Sequence, residues 1–190
     1  MSSSASTDPP APPAAPARVR RRLFSLAVGL LLAGLLWLAL VSFSPAPLKT
    51  AQAFSLPRLG GGPRLTVTFT GIGAHPPAVV TFFASWCGPC HTELPILATV
   101  ARKTEAAGKK IRFVGVDDND APASGLAFAR KSGVAFPVGR DALSRVAPTF
   151  DIPGNPATVF VDGQGKIVKT VLGPIKAATL EAEIARIERT

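Results

Sequence analysis

Residues 84–90 read Ala84-Ser85-Trp86-Cys87-Gly88-Pro89-Cys90 and contain the only two cysteines of this 190-residue chain. They follow a short run of apolar, β-branched and aromatic residues, 78–84, which is typical of a buried strand. Residues 91–107 come next and place leucine and alanine at helical spacing. The two cysteines are therefore predicted to lie where a central strand ends and a helix begins.

This position favours a reactive dithiol. The unpaired amides and the dipole at a helix N-terminus stabilise an anion. We therefore expect Cys87 to ionise more readily than a free thiol, whose pKa is about 8.5. Pro89 fits the first turn of a helix, where no N–H is needed. Cys87 is predicted to be the exposed nucleophile. Cys90 is predicted to be more shielded, to close a disulfide with Cys87 and to act as the resolving thiol.

Two other roles for the cysteine pair stay open. A structural zinc site normally takes four cysteine or histidine ligands. The chain offers two cysteines with His75 and His91, and these histidines show no ligand-pair spacing. A purely structural disulfide would close only a short loop and would constrain the unfolded chain little. We expect neither a metal site nor a cofactor.

Around the cysteines the sequence resembles the thioredoxin superfamily. More narrowly, it resembles the membrane-anchored, extracytoplasmic thiol-disulfide oxidoreductases of the TlpA/ResA type. The resemblance covers roughly Ala53 to the C-terminus. It rests on residues 84–90, on Glu93-Leu94-Pro95, and on Asn155-Pro156-Ala157-Thr158 before a late strand. It implies a thioredoxin-like fold and thiol-disulfide exchange on protein disulfide substrates.

The resemblance also bears on the direction of electron flow. The Gly88-Pro89 dipeptide is the one found in reducing thioredoxins, which favours a reductase over an oxidase. Members of this type reduce cysteines in apocytochrome c or in copper-site assembly proteins. They are themselves reduced by a membrane electron-transfer protein, so we expect a membrane electron donor of that kind as a partner.

Glu93 lies three residues after Cys90, on the same side of the predicted helix. Thioredoxin carries a buried aspartate six residues before its first cysteine, and Thr81 takes that place here. The resemblance implies that Glu93 is catalytic and accepts the proton of Cys90 as that thiol attacks a mixed disulfide. A first-turn glutamate favoured only by the helix dipole is the alternative. Pro95 is expected to kink the helix.

Pro156 is predicted to follow a cis peptide bond, because it stands in a tight turn directly before a strand. Pro153 is a rival for this role, and an ordinary loop proline is the alternative. The resemblance implies that Pro156 packs against the disulfide and that the backbone of Asn155 pairs with a bound peptide like an added strand. The predicted substrate-binding residues are Trp86, Gly88, Pro89, Asn155 and Pro156.

The N-terminal segment divides by composition. Residues 1–22 are rich in serine, proline and alanine, end in four arginines, and are predicted to be a disordered basic cytoplasmic tail. Residues 23–43 carry no charge, and as a helix of roughly 31 Å they could cross a bilayer core of about 30 Å. The arginines before this span predict a cytoplasmic N-terminus and an extracytoplasmic remainder. Residues 44–53 are predicted to be a linker.

The segment has other possible interpretations besides an uncleaved single-pass anchor. A buried core helix would not be apolar on all sides. Arg21-Arg22 faintly resembles a twin-arginine signal, and Ala51-Gln52-Ala53 has the pattern of a signal-peptide cleavage site. The apolar run is long for a secretory signal, and Ala53 lies ten residues beyond its end. The sequence therefore favours the uncleaved anchor.

Residues 54–190 are predicted to form one α/β domain, a mixed sheet flanked by helices on both faces and preceded by a β-hairpin. Acidic residues 117–120 lack the glycine and the distal glutamate of a calcium loop, and are predicted to cap the next helix. After the strand at 78–84 and the helix at 91–107, the predicted elements are hairpin strands 54–59 and 65–69, strand 111–116, helix 121–131, a connecting segment at 133–138, a short helix at 142–147, hairpin strands 157–161 and 166–172, and helix 177–189.

The charge of the domain excludes one class of partner. Five of the 21 basic and one of the 12 acidic residues precede residue 54, which leaves the domain with a net charge of +5. The charges are scattered and do not alternate with aromatic residues, so nucleic-acid binding is not expected.

The alternative function is a copper-binding assembly chaperone that uses Cys87 and Cys90 as soft ligands. Such chaperones usually add a distal histidine, and none occurs in the late loops.

Overall fold

The computed structural model describes residues 17–42, 48–70 and 75–190, with the side chains of its first helix described over residues 26–38. The chain divides into two units, residues 1–47 and 48–190. The predictions for residues 1–16 and 43–47 lie outside the described residues.

The first unit contains helix α1, Ala17–Ser42. Its described leucines are all more than half exposed. The helix begins before residue 23, so residues 17–22, predicted to belong to a disordered tail, are helical instead. Arginine is a good helix former, which accounts for this extension. Within the described part of the chain, no helix is both long enough and apolar enough to cross a membrane.

The described residues of the second unit form a five-stranded sheet, a separate hairpin, three α-helices and a 3-10 helix. Its strands are β1 (Phe54–Leu56), β2 (Leu65–Val67), β3 (Ala78–Phe83), β4 (Arg112–Asp118), β5 (Val138–Asp141), β6 (Ala157–Val161) and β7 (Ile167–Leu172). Its helices are α2 (Cys90–Ala106), α3 (Pro122–Lys131), α4 (Ala177–Glu188) and the 3-10 helix Ala147–Phe150.

The five-stranded sheet has the order β5-β4-β3-β6-β7. Strands β3, β4 and β5 are parallel, whereas β6 and β7 run antiparallel to their neighbours. This is the predicted thioredoxin-like mixed sheet, and β3 is its fully buried central strand. The parallel strands end side by side at Phe83, Asp118 and Asp141, and β6 starts at the same place. We call this the C-terminal edge of the sheet.

The two faces of the sheet are covered differently. One face, with Val79 and Phe83 of β3, packs against α2, α3 and α4. The other face, with Val80 and Phe82, packs against the β1–β2 hairpin and the 3-10 helix. Helices thus lie on both faces, as predicted, but in the described residues the second face carries only the short 3-10 helix. The hairpin supplies apolar side chains that fill the second face, including Leu56, Leu65 and Val67.

Strand β5 was not predicted, because its four residues include Gly139 and two charged side chains. Gly139 is needed there, since a Cβ atom would stand 2.8 Å from that of Leu56. The short helix predicted at 142–147 was also misplaced. The Val146 amide donates a 2.6 Å hydrogen bond to the Asp141 carboxylate, and the 3-10 helix starts only after this loop, with Pro148 in its first turn.

Residues 48–53, predicted to belong to the linker, are part of the second unit. Thr50 forms a β-bridge with Lys166. The Ala51 amide donates a 2.8 Å hydrogen bond to the carbonyl of Gly165, and the residue is 5% exposed. The small apolar side chain of Ala51 fits against the second face of the sheet, so the chain joins the domain before Phe54.

Candidate active site

The cysteines lie at the predicted junction between β3 and α2. They form a disulfide with a Cα–Cα distance of 5.4 Å. Pro89 is the N-cap of α2, with a helical φ of −62°, and Cys90 is the first helical residue. The Cys90 amide donates a 3.1 Å hydrogen bond to the carbonyl of Cys87. A tight turn therefore holds the two sulfur atoms together at the helix N-terminus.

The exposure of Cys87 differs from the prediction. Cys87 is 4% exposed and Cys90 is 1% exposed, so neither residue is open to solvent in the disulfide form. Both side chains belong to the apolar cluster between the sheet and its helices, and this burial accounts for the difference. Gly88 and Pro89 are exposed beside them, and Trp86 is 60% exposed. The accessible surface at this site is thus formed by the neighbours of Cys87.

The peptide bond between Asn155 and Pro156 is cis, as predicted, and the one before Pro153 is not. Pro156 is buried directly before β6. The pairing of Ala157 with Phe82 places this loop at the C-terminal edge of the sheet, where β3 leads into the cysteine turn. The sheet therefore brings residues 155–156 beside the turn that follows β3, although about 70 residues separate the two segments in the chain.

Glu93 is enclosed beneath the cysteine turn. The residue is 1% exposed, and its Oε1 atom accepts a 3.0 Å hydrogen bond from the hydroxyl of Thr158. Thr81 lies opposite Thr158 in the β3–β6 pairing. Neither Oε2 of Glu93 nor the Thr81 hydroxyl has a hydrogen-bond partner. Glu93 is also the acidic residue in the first turn of α2, and its burial goes beyond what an interaction with the helix dipole requires.

The environment of Glu93 changes its acidity. Burial disfavours the charged form and raises the pKa of this carboxyl to about 7, although the hydrogen bond from Thr158 opposes the rise. A carboxyl with this pKa gains and loses a proton near neutral pH. Because Glu93 is one turn along α2 from Cys90, it is suited to exchange a proton inside the protein. Pro95 lies within the same helix.

The acidic residues at the end of β4 and directly after it were misinterpreted from the sequence. They do not cap α3, whose N-cap is Ala121 without a side-chain hydrogen bond. Asp120 instead accepts hydrogen bonds from the amide and hydroxyl of Ser85, and Asp118 accepts one from the side-chain amide of Asn155. The available signal was the position of these residues directly after a parallel strand, because parallel strands end at the same edge of a sheet.

Asp117 is a second buried carboxyl at this edge. It is fully buried, and neither carboxylate oxygen has a hydrogen-bond partner. Burial, followed by the nearby negative charges of Asp120 and Asp118, raises its pKa to about 7, while Arg140 acts in the opposite direction. A Cβ atom at Gly125 of α3 would overlap this carboxylate. No local pattern in the sequence indicates the burial of Asp117.

His91 contacts the residue from which the cysteine turn starts. Its Nε2 atom lies 2.9 Å from the carbonyl oxygen of Ser85, and its ring lies 4.4 Å from that of Phe128. The imidazole is thus held by a hydrogen bond and an aromatic contact. Among the residues that the structure describes, no group of three or more histidine, cysteine, aspartate or glutamate side chains could hold a metal ion.

Comparisons with known proteins agree with this geometry. The AhpC/TSA family model matches residues 47–170. The chain is 31% identical to the thiol-disulfide oxidoreductase ResA of Bacillus subtilis over 94 residues, which cover 50% of this chain and 51% of that protein. It is 32% identical to the thiol:disulfide interchange protein DsbE homolog of Paracoccus denitrificans over 98 residues, which cover 51% of each protein.

A solved structure is similar over a longer stretch. It is a secreted Mycobacterium tuberculosis disulfide oxidoreductase homologous to E. coli DsbE, with 25% identity and a TM-score of 0.61 over 70% of this chain and 95% of that one. The alignments with the curated ResA proteins of Bacillus span 51% to 61% of the length of those proteins. Because the family model covers well over half of the sequence, the chain belongs to the AhpC/TSA family and has a thioredoxin-like fold.

Proposed function

We propose that this protein is a thiol-disulfide oxidoreductase that reduces protein disulfides outside the cytoplasm. The observation that carries the proposal is the Cys87–Cys90 disulfide at the N-terminus of α2, next to the cis-proline loop. A helix N-terminus stabilises a thiolate, and the thiolate is the nucleophile in disulfide exchange. The similar proteins named above carry the same type of activity in their names.

The reaction begins with the reduced dithiol. The Cys87 thiolate attacks one sulfur of the substrate disulfide, the substrate S–S bond breaks, and the departing sulfur takes a proton from solvent. Cys90 then attacks the sulfur of Cys87 in the mixed disulfide. The second substrate thiol leaves, and the Cys87–Cys90 disulfide forms. Two electrons pass from the protein to the substrate, so an electron donor must reduce the protein again.

Glu93 serves the second step as the catalytic proton acceptor. Cys90 must lose its proton before it can attack, and it is 1% exposed, so bulk water has poor access to it. The Glu93 carboxyl lies one turn along the same helix and has a pKa of about 7. In its charged form it can take the Cys90 proton when that thiol reacts.

The substrate-binding residues are Trp86, Gly88, Pro89, Asn155 and Pro156. The first three form the exposed surface around the cysteine turn. Asn155 is half-buried and stands directly before β6 at the C-terminal edge of the sheet. An extended substrate segment can pair with the backbone there as an added strand, which would bring its disulfide to Cys87.

The proposed direction is reduction, with apocytochrome c or a copper-site assembly protein as the substrate class and a thiol-reducing membrane protein as the electron donor. The Gly88-Pro89 dipeptide supports this direction, because reducing thioredoxins share it. The redox potential of the full-length protein, measured by equilibration with glutathione, tests it. We expect a redox potential close to that of thioredoxin, which is about −270 mV. A potential close to that of DsbA, which is about −120 mV, would contradict the assignment as a reductase.

Residues 23–43 are proposed to anchor the protein in the membrane, with the N-terminus in the cytoplasm. The segment carries no charge and is preceded by Arg18, Arg20, Arg21 and Arg22, which supports this orientation. A phosphatase reporter that is active only outside the cytoplasm, fused after Lys49, should be active. A matched fusion after Arg18 should be inactive. The reverse pattern would overturn the topology and with it the extracytoplasmic substrates.

Reduction of insulin by the full-length, pre-reduced protein tests the activity itself. We expect one disulfide to be reduced per protein molecule, with the Cys87–Cys90 disulfide formed in equal amount. The Cys87→Ser variant should be inactive because it lacks the nucleophile. If the wild-type protein reduces neither insulin nor a small disulfide, the proposed function fails.

A further inference from the structure

Asp120, in the loop between β4 and α3, holds the residue that begins the cysteine turn. Its Oδ2 atom accepts a 2.5 Å hydrogen bond from the Ser85 amide, and its Oδ1 atom accepts a 2.9 Å hydrogen bond from the Ser85 hydroxyl. Asp120 is 7% exposed. Hydrogen bonds to a carboxylate are shorter and stronger than neutral ones, so both donors of Ser85 are fixed by one buried side chain.

The last residue of β4, Asp118, and the loop that follows it reach two predicted substrate-binding residues. The carbonyl of Asn119 accepts a 2.9 Å hydrogen bond from the indole of Trp86. The carboxylate of Asp118 accepts a 3.0 Å hydrogen bond from the side chain of Asn155. The segment Asp118-Asn119-Asp120 therefore links the two sides of the proposed substrate surface, which lie far apart in the sequence.

Ser85 is held from its other side as well. Its carbonyl oxygen lies 2.9 Å from Nε2 of His91 in α2. The amide, the hydroxyl and the carbonyl of this residue thus all have partners outside the turn. Because Ser85 precedes Trp86 and Cys87 directly in the chain, its orientation sets the direction in which these two residues leave β3.

We propose that Asp120 is a positioning residue for thiol-disulfide exchange, which acts through Ser85 to hold Trp86 and Cys87 where a protein disulfide docks. The inference rests on the proposed function of the protein. A misplacement of a reacting group by about 1 Å can slow a reaction about a hundredfold. A buried side chain that fixes this turn can therefore have a large effect on the rate of disulfide exchange.

The proposal differs from a purely structural role in what it predicts for two kinds of substrate. A protein disulfide must dock on Trp86 and the cis-proline loop, whereas hydroxyethyl disulfide needs only access to the Cys87 thiolate. A change in the acidity of Cys87 alters both reactions alike. The ratio of the two rate constants therefore reports the positioning of the docking surface and not the reactivity of the sulfur.

The experiment measures single-turnover rates of the reduced, full-length protein with insulin and with hydroxyethyl disulfide. Its variants are Asp120→Asn, Ser85→Ala and the double variant. Asn at position 120 keeps the size of the side chain but turns one of its two acceptor oxygens into a donor, which then faces the backbone amide of either Ser85 or Ala121. Ser85→Ala removes only the hydroxyl bond, so it keeps the test available if Asp120→Asn fails to fold.

The matched control is Asp162→Asn. Asp162 is also 7% exposed and also accepts backbone hydrogen bonds, from Gln164 and Lys166, but it lies in the β6–β7 turn at the opposite edge of the sheet. It should keep the wild-type ratio of insulin to hydroxyethyl disulfide rates even if it lowers the melting temperature.

We expect Asp120→Asn to lower the ratio about tenfold and Ser85→Ala to lower it less. The effects of the two substitutions should be less than additive in the double variant, since both act on the contact between Asp120 and Ser85. Equal loss of both rates, an unchanged ratio, or additive effects in the double variant would overturn the proposal. Suppose that the wild-type protein reduces both disulfides and the variants show the same ratio of insulin to hydroxyethyl disulfide rates. Only this inference would then be refuted, and the proposed function would stand.

Discussion

The hydroxyl of Thr158 donates a 3.0 Å hydrogen bond to Oε1 of Glu93, which joins the strand after the cis-proline to the helix that begins at Cys90. Both side chains are buried, at 0% and 1% exposure. The bond favours the charged form of Glu93, but burial disfavours it more strongly, and the pKa is about 7. The fold thus keeps a carboxyl that titrates near neutral pH one helical turn from the resolving thiol.

Glu93→Gln should slow the resolution of mixed disulfides about a hundredfold at pH 8, a typical loss for a general base. In the wild-type protein the rate should rise as the pH passes through about 7, because the carboxylate that accepts the Cys90 proton forms there. The variant should lack this rise. Stopped-flow measurement of the resolution step between pH 5 and 9 checks the prediction.

Glu105→Gln is the matched control for this experiment, since Glu105 lies on the same helix but is exposed. It should keep the wild-type profile. If Glu93→Gln showed the same rise through neutral pH as the wild type, another group would have to accept the proton, and Glu93 would have only a structural role.

Asp117→Asn should stabilise the domain at pH 8 by about 1 to 3 kcal/mol, given about 1.36 kcal/mol per unit of pKa shift. The folded protein holds a proton on Asp117 up to about pH 7, whereas the unfolded chain releases it near pH 4. The free energy of unfolding therefore falls as the pH rises from about 4 to about 7 and is level above that. Urea unfolding at pH 4, 6 and 8 measures it.

The difference between Asp117→Asn and the wild type should shrink toward pH 4, where both states of the wild type hold the proton. The raised pKa of Glu93 makes the free energy of unfolding fall with pH by the same amount in both proteins, so it cancels in the comparison. Glu181→Gln, at an exposed position of α4, should change stability little at any pH. A variant of Asp117 that is less stable at every pH would mean that its carboxylate makes a net favourable interaction in the fold.

Gly125→Ala should destabilise the domain by about 1 to 3 kcal/mol, as overpacking usually does. The added methyl group would overlap the Asp117 carboxylate, so α3 would have to move away from β4. Gly154→Ala is the control, because a Cβ there meets no atom within 4 Å. Thermal unfolding of both variants gives the comparison.

The double variant Asp117→Ala/Gly125→Ala separates this contact from a general loss of helix packing. With the carboxylate removed, the Gly125→Ala substitution should have a much smaller effect than it has alone. If the destabilising effects of the two substitutions were fully additive, the Asp117 carboxylate would not be the group that excludes a larger side chain at position 125.

The part of the site that is local in sequence could be predicted, and the part made by long-range contacts could not. The cysteine turn was recognisable because an apolar strand, two cysteines and a helix follow one another directly. The role of Asp120 was missed because its partner Ser85 is 35 residues away, and nothing in the local pattern distinguishes such a contact from a helix cap.

Burial was likewise beyond the sequence pattern. Helical spacing placed Glu93 on the side of Cys90, but its enclosure depends on Thr158, which lies 65 residues further along the chain. The limited exposure of Cys87 depends on the same packing, because its side chain joins the apolar cluster formed by the sheet and three helices. Tertiary contacts of this kind also turned the short, polar stretch Val138–Asp141 into a strand beside β4.

The two cysteines should differ when each is replaced in the full-length protein. Cys90→Ala keeps the Cys87 thiolate at the N-terminus of α2, so it can attack a partner, but it removes the resolving thiol. Mixed disulfides with insulin should therefore accumulate to about one per protein molecule and persist until a reductant is added. Nonreducing gels and mass spectrometry of the cross-linked peptide identify the bond.

Cys87→Ala should form no such adduct, because the remaining Cys90 is almost fully buried, at 1% exposure against 4% for Cys87. The small difference in exposure makes this comparison necessary, since the disulfide form hides both residues. Reduction has to bring Cys87 to the surface between Trp86 and Gly88, where its neighbours are exposed. If Cys87→Ala formed adducts and Cys90→Ala did not, the nucleophile would be Cys90, and the proton acceptor proposed at Glu93 would serve the first step of the exchange instead of the second.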